Sequence, residues 1–256
     1  MLALPLLLLG WPRLGQAATN RGSTRAYEAD IGILFNVVSF TVKGTLVEEI
    51  DQVAGRYRVT LTGQGAGVST RTDGAGIIRD GRFKPTEVVS VNTVRGRENR
   101  TALTYDYEGG RIEYHSVSYT FFLGRRRQAD DVLPIPPGLH VDDLFSAELN
   151  FAANQLETDP DGAYRVTVVR RARPADEGPD DASASVYRAE LVTLRFQAAP
   201  EASGRLTARM DLTGFSSWAR SNKPARVAFG NNRYLESVES SLILGTTFSL
   251  RFGPSS

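Results

Sequence analysis

The chain has 256 residues, of which 41% are hydrophobic and 9% aromatic; this is ordinary for a globular protein and excludes global disorder. Its 30 Lys and Arg residues nearly balance 29 Asp and Glu residues, so the charge excess typical of nucleic-acid-binding proteins is absent. With 2 His and 0 Cys, disulfides, thiolate zinc sites and cysteine nucleophiles are excluded. The length fits one large β domain or two small ones, and we expect no cofactor and no nucleic-acid partner.

The chain begins with an apolar run from Met1 to Trp11, followed by small residues up to Ala17 and Ala18. This pattern predicts a secretory signal peptide over residues 1–17, although no Lys or Arg precedes the apolar run. The run is too short to span a bilayer, and no later segment predicts a transmembrane helix. Residues 18–26 are predicted to form a polar spacer.

Residues 27–173 predict a mainly β domain built on a strongly curved antiparallel sheet, either a half-barrel or an open barrel. Apolar residues alternate with polar ones, as from Val38 to Leu46, which is typical of a half-buried strand. Short turns such as Asp80-Gly81 join successive runs and favour antiparallel pairing. The run from Tyr114 to Phe122 is aromatic on both faces, so we expect that strand to be covered on both sides.

One segment, Asp130 to Leu156, interrupts the strands. Its prolines between Leu133 and Gly138 require an extended backbone. Asp142 or Asp143 can then cap a single α-helix predicted near residues 142–155. Its expected apolar face should pack on the concave side of the sheet, either filling the concavity or covering it; that face comprises Val141, Leu144, Phe145, Leu149 and Ala152.

Beyond this domain, residues 174–185 are polar, acidic and contain prolines, which predicts a flexible loop. Alternation resumes after it, so residues 186–252 are predicted to form further strands that extend or close the same sheet. Whether these strands are a separate domain stays open at this point.

The loop around Trp218 is the most suggestive candidate for binding, because Arg220 and Arg226 lie near it in sequence. An aromatic ring and two cations beside a sheet can recognise an anionic or lipid head group. The alternative is that Trp218 covers the end of the sheet with the arginines stacked on it. The full set of predicted ligand-binding residues is Tyr114, Tyr119, Phe121, Phe145, Trp218, Arg220 and Arg226.

Recognisable catalytic motifs are absent from the sequence. His140 lies close to Asp142 and Asp143, and an imidazole with carboxylates can hold a metal or act as a base. Helix capping explains the two aspartates better, and His115 fits a structural histidine on a strand. The glycines between Gly63 and Gly67 have the wrong spacing for a dinucleotide site and predict a hairpin or bulge. We therefore predict no catalytic residues and no metal site.

Three short motifs resemble the bacterial exported family called domain of unknown function 3108. They are Gly55-Arg-Tyr-Arg-Val, Asp80-Gly-Arg-Phe-Lys-Pro85 and Leu133-Pro-Ile-Pro-Pro-Gly-Leu-His-Val-Asp-Asp-Leu-Phe. The resemblance covers about residues 27–170 and largely excludes the chain after Val186. It implies a β-rich, periplasmic protein of a Gram-negative cell envelope, with no established catalytic residues to carry over. Within it, the segment from Asn36 to Gly44 lacks the expected small-residue turn.

These observations favour a non-enzymatic binding module for a hydrophobic or lipid-like ligand or for an envelope partner. The first alternative is a structural or assembly protein, such as a small outer-membrane β-barrel. The second is a hydrolase or metal-dependent enzyme that uses His140 and the nearby carboxylates.

Overall fold

A computed structural model describes residues 20–33, 35, 38–120, 122–174, 177–178, 181–182, 187–201, 204–213, 219–220 and 222–256. The predicted signal peptide over residues 1–17 lies outside the described residues. In the described part of the chain, no helix has the length and apolar character that a bilayer crossing needs.

The predicted fold class is confirmed: the protein is mainly β, with one α-helix and a large antiparallel sheet that does not close. The strands in chain order are β1 (Asn20–Ile33), β2 (Val38–Asp51), β3 (Arg56–Gly65), β4 (Val68–Arg79), β5 (Arg82–Val94), β6 (Arg97–Asp106), β7 (Arg111–Tyr119), β8 (Arg126–Pro134), β9 (Glu157–Thr158), β10 (Tyr164–Arg171), β11 (Ala189–Phe196), β12 (Ala198–Pro200), β13 (Leu206–Met210), β14 (Ala225–Phe229), β15 (Leu235–Ser241) and β16 (Thr247–Phe252). The helix α1 spans Leu144–Ala152, and a 3-10 turn spans Ile243–Gly245.

The large sheet has 13 strands in the order β12-β13-β14-β15-β16-β1-β2-β3-β4-β5-β6-β7-β8. Strands β1 to β8 form the predicted meander, and β16 pairs with β1, for example with Phe252 opposite Tyr27. The C-terminal strands thus extend the same sheet beyond β1. The exception is β11, which pairs with β10 in a separate sheet of 3 strands ordered β11-β10-β9.

Most of the segment predicted as a polar spacer, residues 18–26, forms part of a strand, and this corrects the sequence-based prediction. Residues 20–26 form the first half of β1 and pair with β2 from Asn20 opposite Asp51 to Ala26 opposite Thr45. The side of β1 that faces the interior is polar in this region. The buried Arg25 side chain lies 2.8 Å from Glu48 and 2.9 Å from Glu148 of α1. A polar sequence is compatible with a strand when the interior supplies such partners.

Strand β7 also differs from expectation, because a single face of it is covered. Ile112, Tyr114 and Ser116 are buried, whereas the outward side chain of His115 is 57% exposed and contacts Asp130. The described aromatic residues of this segment therefore do not mark two buried faces.

Helix α1 begins where Asp143 caps it. The Asp143 side chain accepts from the Ser146 backbone N–H at 2.7 Å, and the Ser146 hydroxyl accepts from the Asp143 N–H at 2.9 Å. Asn154, at φ 56°, adopts the left-handed conformation that commonly ends a helix. The helix is thus shorter than the predicted 142–155. Leu144 is 79% exposed, because it points outward from the first turn, and does not belong to the buried face.

The large sheet curves around α1. Glu148 accepts from the Leu235 N–H of β15 at 2.9 Å, whereas Asn150 donates to the Phe83 carbonyl of β5 at 2.8 Å. These strands are six places apart in the sheet, so they would lie about 29 Å apart if it were flat. A helix with its side chains is only about 10–12 Å wide. Both contacts therefore require the sheet to wrap around the helix.

The small sheet, together with β14 of the large sheet, packs against another side of α1. Phe151 is 2% exposed and packs in a cluster with Val166 and Phe196 of the small sheet and Phe229 of β14. The other side of the helix packs Phe145 and Leu149 against β2, β3 and β5. The helix consequently fills the concavity between the two sheets and does not merely cover it.

The segment predicted as a flexible loop over 174–185 contains one buried carboxylate among its described residues. Glu177 is 6% exposed and accepts two bonds from Arg171, at 2.8 and 3.0 Å. It also lies 2.9 Å from Arg127 of β8. These contacts attach this part of the segment to both sheets.

Candidate functional site

An open cleft of about 650 Å³ lies where the small sheet meets the β12–β14 end of the large sheet. Its charged side chains are Asp161, Arg195, Glu201, Arg209 and Arg226. The arginines come from three different strands, β11, β13 and β14. The pairing of these strands therefore gathers into one cleft cations that are distant in sequence.

Two of these arginines lie directly opposite each other, because β13 pairs with β14 so that Arg209 faces Arg226. Opposite residues of an antiparallel pair project to the same side, with Cβ atoms about 4.5–5.5 Å apart. Like charges in this arrangement repel each other and destabilise the pair. An anion bound between the two guanidinium groups would relieve that repulsion.

The acidic residues of the cleft neutralise two of its three arginines. Arg226 lies 2.5 Å from Glu201. Arg195 donates to Asp159 at 2.6 Å and lies 3.1 Å from Asp161; the hydrogen bond to Asp159 is the main cause that raises the pKa of Arg195 above its usual range. Within the described residues, the side chain of Arg209 makes no hydrogen bond or ion pair. The cleft therefore offers one uncompensated cation flanked by two others.

Of the predicted ligand-binding residues, Arg226 lies in this cleft. Arg220 is half-buried in a turn, where its carbonyl accepts from the Lys223 N–H at 3.1 Å. Trp218 and Phe121 lie outside the described residues.

The remaining predicted residues do not assemble into one site. Tyr114 is buried in a cluster formed by β5, β6, β7 and β8, whereas Phe145 is buried in the cluster around α1. Tyr119 is half-buried at the end of β7, where its backbone N–H donates to Asn99 at 2.6 Å. The described residues thus give core roles to Tyr114 and Phe145 and leave no common apolar site for the three.

Sequence reasoning missed Arg195 and Arg209 as site residues. Arg195 precedes the buried Phe196, and Arg209 follows the buried Ala208. Alternation alone therefore places both arginines on an outer face. What alternation does not supply is the pairing of β13 with β14, which turns two separate outward arginines into an opposed pair.

A second polar cluster is enclosed at the N-terminal end of α1. Arg82 of β5 lies 2.8 Å from Asp142, which also accepts from Asn150 at 2.8 Å. Among the described residues, neither Oδ2 of Asp143 nor the Tyr57 hydroxyl has a hydrogen-bond partner, and both atoms are buried. The cluster is held between helix and sheet, away from the cleft.

Burial controls the protonation of this cluster. It raises the pKa of Asp143 to about 6, against the opposing effect of the Ser146 backbone N–H. It also raises the pKa of Asp142, although the charge of Arg82 acts in the other direction. The pKa of the Tyr57 hydroxyl rises for the same reason and further because of the Asp143 charge. Asp143 is thus a buried carboxyl that changes charge near pH 6.

His140 is not directed at these aspartates, since its Nδ1 lies 2.8 Å from Oε1 of Glu157. In the described residues, no group of three or more His, Cys, Asp or Glu side chains is arranged to hold a metal ion. His140 therefore pairs with Glu157, while its charge opposes the rise in the pKa of the nearby Asp142.

Comparison with known proteins identifies no family for this chain. No family model matches it, and no curated protein matches it. The resemblance to domain of unknown function 3108 therefore stays a prediction. Among solved structures, the chain is similar to a β-barrel-like protein of domain of unknown function DUF1849 from Brucella abortus. That match has 11% sequence identity and a TM-score of 0.41, and covers 92% of this chain and 97% of the other.

Proposed function

We propose that this protein is a non-enzymatic binding module of the bacterial cell envelope that holds an anionic group in the cleft of Arg195, Arg209 and Arg226. The ligand class is a lipid-like or other small molecule that carries a phosphate or carboxylate. Arginine suits such groups because its planar guanidinium donates two parallel hydrogen bonds to them.

The observation that carries this proposal is the position of Arg209. It lies opposite another arginine and lacks a counter-charge within the described residues, whereas its two neighbours are paired. An unpaired guanidinium beside two further arginines is well placed to receive an anionic group. A hydrophobic tail, where present, would lie against the apolar cleft residues Phe196 and Ala199.

Isothermal titration calorimetry with glycerol 3-phosphate and with dihexanoyl-phosphatidylglycerol tests the proposal. We expect both to bind, and we expect Arg209→Gln to weaken binding by about tenfold or more, because a hydrogen bond to a charged group contributes about 1.5–3 kcal/mol. Arg58→Gln is the matched control, since Arg58 is an exposed strand arginine outside the cleft.

Two outcomes would contradict the proposal. Equal affinity in the Arg209→Gln and Arg58→Gln proteins would show that the cleft is not the binding site. Absence of heat with either anion, while native mass spectrometry of the purified protein shows a neutral bound molecule, would favour a hydrophobic ligand held elsewhere.

The envelope location rests on the predicted signal peptide and on the family resemblance, and fractionation of the native host tests it. Recovery from the soluble periplasm is expected. Recovery that requires detergent would favour the alternative of a small outer-membrane β-barrel, and recovery from the cytoplasm would oppose both.

A further inference from the structure

Six connections lie at one end of the large sheet, since alternate turns of an antiparallel sheet fall at the same end. They join β1 to β2, β3 to β4, β5 to β6, β7 to β8, β13 to β14, and β15 to β16. We call the described residues of these loops, with the strand residues that immediately flank them, the loop rim. Because the sheet wraps around α1, the loop rim follows an arc and can meet a flat surface at several points.

Large apolar side chains are exposed on the loop rim. Phe35, between β1 and β2, is 83% exposed, and Leu123 and Phe122, between β7 and β8, are 61% and 43% exposed. The Phe35 backbone N–H donates to the Gly245 carbonyl at 3.1 Å, so the β1–β2 and β15–β16 loops support each other. Phe35 also has φ 58°, an uncommon conformation for an aromatic residue. Three large apolar side chains are therefore exposed at this end of the sheet.

Cationic side chains accompany the apolar tips. Arg97 and Arg126 are exposed at the flanks of the β5–β6 and β7–β8 turns, and Lys223 is exposed in the β13–β14 connection. Arg97 lies against Gly124, which brings two of these turns together. Among the described residues of the six connecting loops, Asp211 is the single acidic side chain. The turns at the opposite end of the sheet expose Asp80 and Glu108 together with the flanking Arg79 and Arg111, so charges of both signs are mixed there.

Apolar tips among cations are the chemistry that recognises an anionic bilayer. Aromatic and aliphatic side chains enter the interface between head groups and acyl chains, while Arg and Lys contact the lipid phosphates. We propose that the loop rim docks the protein on the surface of a membrane that contains anionic phospholipids. This proposal does not depend on the cleft.

Vesicle flotation of the purified protein tests the docking. We expect it to float with vesicles of phosphatidylcholine and phosphatidylglycerol and not with phosphatidylcholine alone. Each cation near an anionic surface contributes about fivefold to binding, so Arg126→Gln with Lys223→Gln should weaken it roughly 25-fold. Leu123→Ser should also weaken it, and high salt should reduce the effect of the charges.

Three controls make the result decisive. Arg126→Lys keeps the charge and should keep flotation, whereas Arg58→Gln and Val53→Ser alter exposed residues outside the loop rim and should have no effect. Equal flotation with both kinds of vesicle, or undiminished flotation of the loop-rim variants, would overturn the proposal. Circular dichroism of each variant verifies folding.

Discussion

Replacing Asp143 with asparagine should stabilise the protein at neutral pH. Asn is as good a helix cap as Asp, and its side-chain oxygen still accepts from the Ser146 N–H. The substitution removes a charge whose burial raises the pKa of Asp143 from 3.8 to about 6. It also replaces the unpartnered Oδ2 with an N–H donor near the unpartnered Tyr57 hydroxyl, which can accept from it.

The magnitude follows from the pKa difference between the folded and unfolded states. A pKa difference of about two units corresponds to about 3 kcal/mol in the free energy of unfolding, and the native protein loses this stability as Asp143 ionises. Because the folded-state pKa of Asp143 is raised, this stability is present below about pH 4 and is lost as pH rises through about 6. The Asn variant does not ionise here, so its advantage should reach about 3 kcal/mol at pH 7 and shrink toward pH 4.

Urea unfolding at pH 4 and pH 7 measures both free energies of unfolding, and thermal unfolding at pH 7 should show a rise of roughly 6–12 °C. Asp80→Asn is the control, because Asp80 is exposed in a turn and should show no such pH-dependent difference. A loss of stability at pH 7 in the Asp143→Asn protein would refute the reasoning, since it would mean that the carboxylate is stabilised by its surroundings.

Further predictions concern the interior, each measured by urea unfolding. Gly74→Ala should cost about 1–3 kcal/mol, because its Cβ would lie 2.7 Å from the Phe145 ring, whereas Gly22→Ala, with no neighbour nearer than 4.0 Å, should be nearly neutral. Arg25→Met should cost about 3–5 kcal/mol at pH 7 by leaving two buried carboxylates unpaired, and less at pH 5; a pH-independent loss would indicate a packing defect instead. Asn150→Ala should cost about 2–4 kcal/mol by removing both hydrogen bonds to the backbone of β5, and a loss below about 1 kcal/mol would mean that water replaces them.

Local chemistry explains why the helix and the meander could be predicted. Proline keeps the backbone extended before α1 and Asp143 caps it, and both effects act within a few residues. Strand alternation is equally local, and the buried positions of β2 and β3, such as Leu46 and Val59, follow it.

The missed features all depend on contacts between distant parts of the chain. Residues 20–26 were too polar to be recognised as a strand, because Arg25 finds its partners on β2 and α1. Strand β11 reads like its neighbours yet pairs with β10 in the small sheet. The opposition of Arg209 and Arg226 exists because of strand register, which a single sequence does not reveal.

Pairing of the last strand with the first has a consequence for how the chain folds. Strand β1 receives β16 along one edge and β2 along the other, and the backbones of Thr24 and Ser256 exchange hydrogen bonds at 3.2 and 3.0 Å. The hairpins from β2 to β8 form between strands that are adjacent in the sequence. The β1–β16 pairing, called the seam below, must instead close a loop of nearly the whole chain, and the entropy cost of that closure makes it slow. We expect pulse-labelling hydrogen exchange to show protection in β3 and β4 well before the β1–β16 seam; simultaneous protection would contradict this order. Until the seam forms, one edge of β1 is an open template for a wrong partner, so late steps of folding are when this protein is most prone to aggregate.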